Sequence, residues 1–176
     1  KAGTGVLPVK QARRISEMSE ETSHSESSGL HGHCGCVLAV NIGNTNVQMA
    51  EWADGSFGKL KTVPTKEFSA SMLPAGIPSS AASVVPALDG ELSERGVFLV
   101  KHDCRLPFTF ADGVNPSTIG ADRLANAAAL VKYCRLPALC ADFGTAVTFE
   151  IVNGRKEFCG GVIMPGRSLM RRALNS

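Results

Sequence analysis

Val40-Asn41-Ile42-Gly43-Asn44-Thr45-Asn46-Val47 and, about 100 residues later, Ala141-Asp142-Phe143-Gly144-Thr145-Ala146-Val147-Thr148 are two versions of one pattern. In each, an apolar strand ends in a short polar side chain, a glycine lets the backbone turn sharply, and a Thr or Asn presents a hydroxyl or amide beside exposed N–H groups. A phosphate chain needs donors from a turn, no β-carbon in the way at Gly43 and Gly144, and a carboxylate nearby for a cation. Either hairpin alone reads as an ordinary turn. Two of them facing one another across a cleft can grip a nucleotide from both sides. A separation this long indicates two similar lobes rather than a short solenoid repeat.

Outward from the first copy, residues 37–42 read as a buried strand, 46–52 as its return, and 57–63 as a third strand after the Asp54-Gly55 turn. A short helix over 65–72, a strand over 81–85, a helix over 86–95 with Pro86 in its first turn and a strand over 97–101 follow. That alternation argues for parallel strands with crossover helices. The clearest helix is 121–135, where Leu124, Ala127, Ala128, Val131 and Cys134 recur at steps of three and four. Strands over 139–142 and 147–152, a two-residue Asn153-Gly154 hairpin and a returning segment at 156–158 come next. Residues 159–166 are glycine-rich, either backbone that a ligand approaches closely or a bulged strand, and a helix begins at 167. The division expected is an extension over 1–35, a first lobe over 36–136 and the beginning of a second over 137–176.

Composition narrows the function. Lys and Arg number 18 against 16 Asp and Glu, a net charge of +2 with no dense basic run, so nucleic acid is not an expected partner. No apolar stretch approaches the roughly 20 residues of a membrane-spanning helix, and no secretory signal is visible, so a cytoplasmic protein is expected. Residues 1–35 are rich in Ser, Glu, Gly and His and lack apolar periodicity, the texture of a disordered extension. Four of the 6 cysteines sit in or beside apolar segments, as buried side chains in a reducing compartment do. His31-Gly32-His33-Cys34-Gly35-Cys36 holds ligand-type residues, but without a second knuckle it reads as irregular tail rather than a zinc site.

Between the two hairpins, Asn115-Pro116-Ser117-Thr118-Ile119-Gly120-Ala121-Asp122-Arg123 leads into the alanine-rich helix. Asp122 and Arg123 then lie in its first turn, where the helix dipole favours a charged Asp122 and could orient an anion with it. The same residues also fit an ordinary helix-start carboxylate with a solvated neighbour. Their place near both hairpins tips the reading toward a site.

Four motifs in this order, Ile42-Gly43-Asn44-Thr45-Asn46, Gly120-Ala121-Asp122-Arg123-Leu124, Asp142-Phe143-Gly144-Thr145-Ala146 followed by Thr148, and Gly160-Gly161 with Pro165-Gly166, resemble those of type III pantothenate kinases, over residues 37 to about 172. The resemblance implies an α/β actin-like ATPase (ribonuclease H-like, ASKHA-type) fold, present as a first lobe plus a truncated second lobe. It implies ATP-dependent phosphorylation of pantothenate to 4'-phosphopantothenate, the first step of coenzyme A synthesis, with Mg²⁺ and K⁺ or NH₄⁺, in a cytoplasmic homodimer. Carried over by position, Asn41, Ile42, Gly43, Asn44, Thr45, Asn46, Val47 and Gln48 would lie along the ATP phosphates, with Thr145 also contacting ATP. Gly120, Ala121, Asp122 and Arg123 would hold pantothenate, Asp122 as the base and Arg123 as an anchor, and Asp142 would bind the monovalent cation.

Two positions depart from the family pattern. Asn41 stands where the family has Asp, removing a negative charge that helps hold hydrated Mg²⁺ on the phosphates. Gly113 stands where the family has a Tyr lining the substrate site, with Phe110 nearby as a substitute. Two further readings stay open at this point: a non-catalytic homologue that binds ATP or a partner but lacks turnover through Asn41 and Gly113, and an actin-like kinase for another small hydroxylated acid. Family members continue past the position of Ser176 with the rest of the second lobe, including a further substrate-contacting Thr.

Overall fold

Leu38, Val40 and Ile42 alternate along the first strand, and a period of two sends all three to one face. In the computed structural model, which describes residues 35–175, they are buried in β1 (Val37–Ile42). Strand β2 (Asn46–Ala53) returns antiparallel, with Ile42 opposite Val47 and Val37 opposite Trp52. The expected third strand over 57–63 is instead two short ones, β3 (Ser56–Phe57) and β4 (Lys61–Pro64), each paired with β2. Strand β5 (Ser79–Ser83) lies parallel to β1, and β6 (Phe98–Leu99) parallel to β5, giving a sheet ordered β3-β2-β1-β5-β6.

The crossover between β5 and β6 is a 3-10 turn, Pro86–Leu88, that runs into helix α1 (Asp89–Glu94). Residues 65–72 form two 3-10 turns, Thr65–Glu67 and Ala70–Met72, rather than one helix; the Ser69 hydroxyl accepts the Ser71 N–H and so starts a new turn. These segments pack Phe68, Leu73, Leu92 and Val97 against Leu38, Val40, Ile42, Val47 and Met49. Full burial of a side chain such as Leu92 stabilises by about 1.5–3 kcal/mol.

A second sheet follows, ordered β7-β10-β9-β8. It comprises β7 (Thr109–Phe110), β8 (Ala138–Phe143), β9 (Ala146–Val152) and β10 (Glu157–Pro165), antiparallel except where β7 runs beside β10. Helix α2 (Ala121–Tyr133) turns Leu124, Ala127 and Leu130 onto Val152, Phe158 and Phe108 in a core of its own. The helix therefore packs with the second sheet although it precedes residue 136, and it also touches β5 of the first. The chain is α/β with two sheets, each carrying a glycine-turn hairpin, in accord with the expected fold class.

Asn153-Gly154 does not make a two-residue turn. Asn153 Oδ1 accepts the N–H groups of Arg155 and Glu157, widening the loop to 153–156 and leaving the left-handed residue at Lys156 (φ 60°). The glycine-rich stretch is the body of β10, with a bulge between Phe158 and Gly161. A β-carbon at Gly161 would fall on the Phe149 carbonyl oxygen, so the two strands approach one another only because that position is glycine. Helix α3 (Arg167–Leu174) closes the described chain.

Candidate active site

The two hairpins differ in one way that the sequence comparison cannot display. Ile42 pairs with Val47 in the first and Phe143 with Val147 in the second, so the first loop is a residue longer. Each is closed by its glycine: Gly43 N–H donates to the Asn46 carbonyl at 3.0 Å and Gly144 N–H to the Ala146 carbonyl at 2.9 Å. With that offset the residues that meet are Thr45 and Thr145, whose hydroxyl oxygens lie 2.9 Å apart. The two glycine turns, 100 positions apart in the chain, are therefore in direct contact.

Both turns are held from behind. Thr65 donates its N–H to the Thr45 carbonyl at 2.9 Å and its hydroxyl to the Gly43 carbonyl at 2.6 Å. Gly166 N–H donates to the Thr145 carbonyl at 2.9 Å, and a β-carbon there would strike the Gly144 and Thr145 carbonyl oxygens. Glycine at 166 therefore lets the start of α3 approach the backbone of the second turn closely. Asn44, Thr45, Asn46 and Thr145 are exposed. Ile42 and Val47 are fully buried, so of these two only the backbone can face a ligand. Asn41 and Gln48 are cross-strand partners at the end of the hairpin, and Asn41 is exposed on the face opposite the core.

Gly120, two positions before Asp122, lies against Val84. Val84 N–H donates to the Ile42 carbonyl at 3.0 Å, immediately before the first glycine turn. The place a β-carbon would take on Gly120 lies 3.5 Å from Val84 Cγ1 and 2.6 Å from Asp122 Oδ1. That oxygen accepts the Arg123 N–H at 2.8 Å, a donor shared with the Gly120 carbonyl at 3.1 Å. Gly120, Ala121 and Asp122 thus stand beside β5 near the end of β1.

Arg123 goes elsewhere. Its side chain turns into the second core, with Nε donating to Glu150 Oε1 at 2.9 Å, a terminal guanidinium nitrogen donating to the Phe149 carbonyl at 3.4 Å and the guanidinium 5.8 Å above the Phe158 ring. Glu150, fully buried, also accepts Asn126 Nδ2 at 3.2 Å. At 8 % exposure this arginine is not a solvated neighbour. Glu150 escaped the sequence reading; its signal is a lone carboxylate at an inward position of an alternating strand, which demands a buried partner.

Asp142 is exposed at the end of β8, opposite Thr148. Thr148 Oγ1 is buried and meets no hydrogen-bond partner among the described residues. A carboxylate and a hydroxyl on one sheet face suit a hard cation. Among the described residues no group of three His, Cys, Asp or Glu stands ready to hold a metal. Cys140 shares this face; burial first, then the carboxylates of Glu150 and Asp142, push its thiol from 9.0 up to about 11. The folded value is the higher one, so this contribution to stability is complete below about pH 9 and is lost as pH rises toward 11. Iodoacetamide at pH 8 is expected to modify the exposed Cys134 and Cys159 well before Cys140, checked by peptide mapping of the native protein.

Gly113 has a local reason of its own. Its φ of +83° places it in the left-handed region that favours glycine. Phe110, half-buried, packs edge-on to Phe108 and Phe158. His31, His33 and Cys34 lie outside the described residues; Cys36 Sγ donates to Glu51 Oε2 at 3.9 Å. Among the described residues no helix is long and apolar enough to cross a membrane.

Residues 37–176 match the family described as type III pantothenate kinase. A protein of that name from Methylacidiphilum infernorum is 34% identical over 157 residues, covering 79% of this chain and 54% of that protein. One from Anaeromyxobacter dehalogenans is 31% identical over 163 residues, covering 78% and 63%. One from Akkermansia muciniphila is 40% identical over 117 residues, covering 61% and 48%. The chain thus spans between about half and two thirds of the length of these curated relatives. A solved Ppx/GppA family structure from Aquifex aeolicus shares 14% identity at a TM-score of 0.34, over 74% of this chain and 51% of that one, too distant to inform the site.

Proposed function

The chain belongs to the type III pantothenate kinase family, and from that premise we propose that it transfers the terminal phosphoryl group of ATP to pantothenate, giving 4'-phosphopantothenate. The observation that carries this reading is the contact of the two glycine turns through Thr45 and Thr145. Phosphoryl transfer asks a protein chiefly to position groups and offset charge. The turns around Gly43 and Gly144 bind the phosphates through backbone N–H groups, and the two threonine hydroxyls give up their mutual bond to contact phosphate oxygens. Asp122 receives the proton of the attacking hydroxyl.

The remaining roles follow the same logic. Asp142 and Thr148 offer oxygens to K⁺ or NH₄⁺. Asn41 and Gln48 lie along the path of the phosphates, where Asn41 contributes a neutral amide. Bound Mg²⁺ and the monovalent cation supply positive charge that neutralises the triphosphate. Free described cysteines fit work in the cytoplasm. Leu139, Phe143, Val162 and Met164 leave one face of the second sheet apolar and exposed, which supports assembly as a homodimer.

The test is pantothenate-dependent formation of ADP by the intact protein with Mg²⁺ and K⁺. Asn41→Asp is expected to lower the Mg²⁺ concentration needed for half-maximal rate by about tenfold, since groups that support a metal's ligands change its affinity by roughly 10–100-fold. Absence of pantothenate-dependent turnover in both proteins overturns the kinase reading.

A further inference from the structure

Strand β4 ends at Pro64, opposite Asn46, so the next residue, Thr65, stands beside the first glycine turn. Thr65 begins a 3-10 turn there, and its carbonyl accepts the Phe68 N–H at 3.2 Å, which ties it to a side chain buried in the first core. From this anchored place it takes two carbonyls of the glycine turn: its hydroxyl donates to Gly43 at 2.6 Å and its N–H to Thr45 at 2.9 Å. A trans peptide is planar, with its C=O and the following N–H pointing opposite ways. Holding the Gly43 and Thr45 carbonyls rearward therefore aims the N–H groups of Asn44 and Asn46 forward. Both residues are exposed, and among the described residues the Asn44 N–H has no backbone acceptor. The second turn lacks this device. Gly166 follows Gly144 at the same separation of 22 positions that divides Thr65 from Gly43, and its N–H holds the Thr145 carbonyl, but it has no side chain for the Gly144 carbonyl. Among the described residues, Thr65 Oγ1 is thus the one side-chain group that bonds the backbone of either turn.

We propose that Thr65 is a positioning residue: its hydroxyl fixes the Gly43 peptide so that the first turn presents ready-aimed N–H donors to the phosphates of a nucleoside triphosphate. Thr65 itself touches no substrate; it acts through Gly43 and Asn44. The inference rests on the kinase reading above for the identity of the ligand. Successive backbone N–H groups of a turn make an anion-binding concavity, and donors fixed before the anion arrives need no reorganisation when it binds. Without the hydroxyl the Gly43 carbonyl loses its partner, and the peptide after a glycine is free to rotate until that carbonyl meets water. In the rotated form the Asn44 N–H no longer faces the ligand. The N–H bond to Thr45 does not replace the lost one, because it holds the other end of the turn, the residue whose hydroxyl meets Thr145.

The experiment uses the intact protein with ATP, inorganic triphosphate and adenosine as probes. Thr65→Val deletes the hydroxyl but keeps the branched shape and the N–H. It is expected to raise the KM for ATP by about tenfold, the usual worth of one hydrogen bond, and to weaken inorganic triphosphate as a competitor by the same factor. Adenosine binding, read by calorimetry, and the KM for pantothenate should stay as in the wild type, and the melting temperature should move by less than about 5 °C. Thr65→Ser, which keeps the hydroxyl, should recover most of the loss. A Thr65→Val protein with wild-type affinity for ATP and triphosphate overturns the proposal and leaves the kinase reading standing. So does equal weakening of adenosine, or a loss that Thr65→Ser does not recover, since either marks a merely structural role. ATP binding that falls in Thr65→Val and returns in Thr65→Ser, in a protein without pantothenate-dependent turnover, sustains the positioning role and sinks the kinase reading. If the wild type binds neither ATP nor triphosphate, both fall.

Discussion

Replacing Asp122 with Asn is expected to lower kcat by about 10²- to 10⁴-fold, the usual worth of a positioned general base, while ATP binds as before. The substitution separates two jobs held by one side chain. Asp122 Oδ1 accepts the Arg123 N–H at 2.8 Å, and an Asn carbonyl oxygen can accept the same bond, so the start of α2 stays satisfied. What Asn cannot do is take a proton from an attacking hydroxyl. Turnover by coupled ADP release, ATP affinity by calorimetry and a thermal melt together decide the matter. A parallel fall in ATP affinity and melting temperature would assign Asp122 to helix capping alone.

How far the site could be read from the chain depended on what each residue's signal was. The hairpin strands were legible because Leu38, Val40 and Ile42 alternate and glycines follow them, a pattern set by local geometry. The glycine-rich strand β10 was harder, because a bulge between Phe158 and Gly161 and the absence of side chains both erase periodicity. Aligning the two hairpins residue by residue sets Thr145 against Asn44, yet the extra residue in the first loop brings Thr45 to Thr145. The side-chain direction of Arg123 is a tertiary fact: a first-turn arginine can face solvent or core, and Glu150, 27 positions away, decides it. The stripe of Leu124, Ala127 and Leu130 packs in the core of the second sheet, a partnership that no local pattern in the helix announces.

Glu150→Ala is expected to destabilise the protein by about 3–5 kcal/mol, because it strands the buried Arg123 guanidinium without a counter-charge. The pair is close and dry: 2.9 Å from Nε to Oε1, with side chains 10% and 0% exposed. At about 2–4 °C per kcal/mol for a chain of this size, the melting temperature should fall by roughly 6–20 °C. Glu150→Gln should cost less, since its oxygen still accepts from Arg123 or Asn126. Removing both charges with Arg123→Met/Glu150→Leu should recover most of the loss, as apolar replacement of a buried pair is often near neutral. The pair also ties the first turn of α2 to β9 one residue after Asp122, so its second effect is on position. Restored stability without restored orientation predicts that the double variant melts near the wild type yet keeps a reduced kcat with an unchanged KM for ATP. A double variant with full turnover would show that the pair serves stability alone, and that packing of Leu124 and Ala127 suffices to aim Asp122.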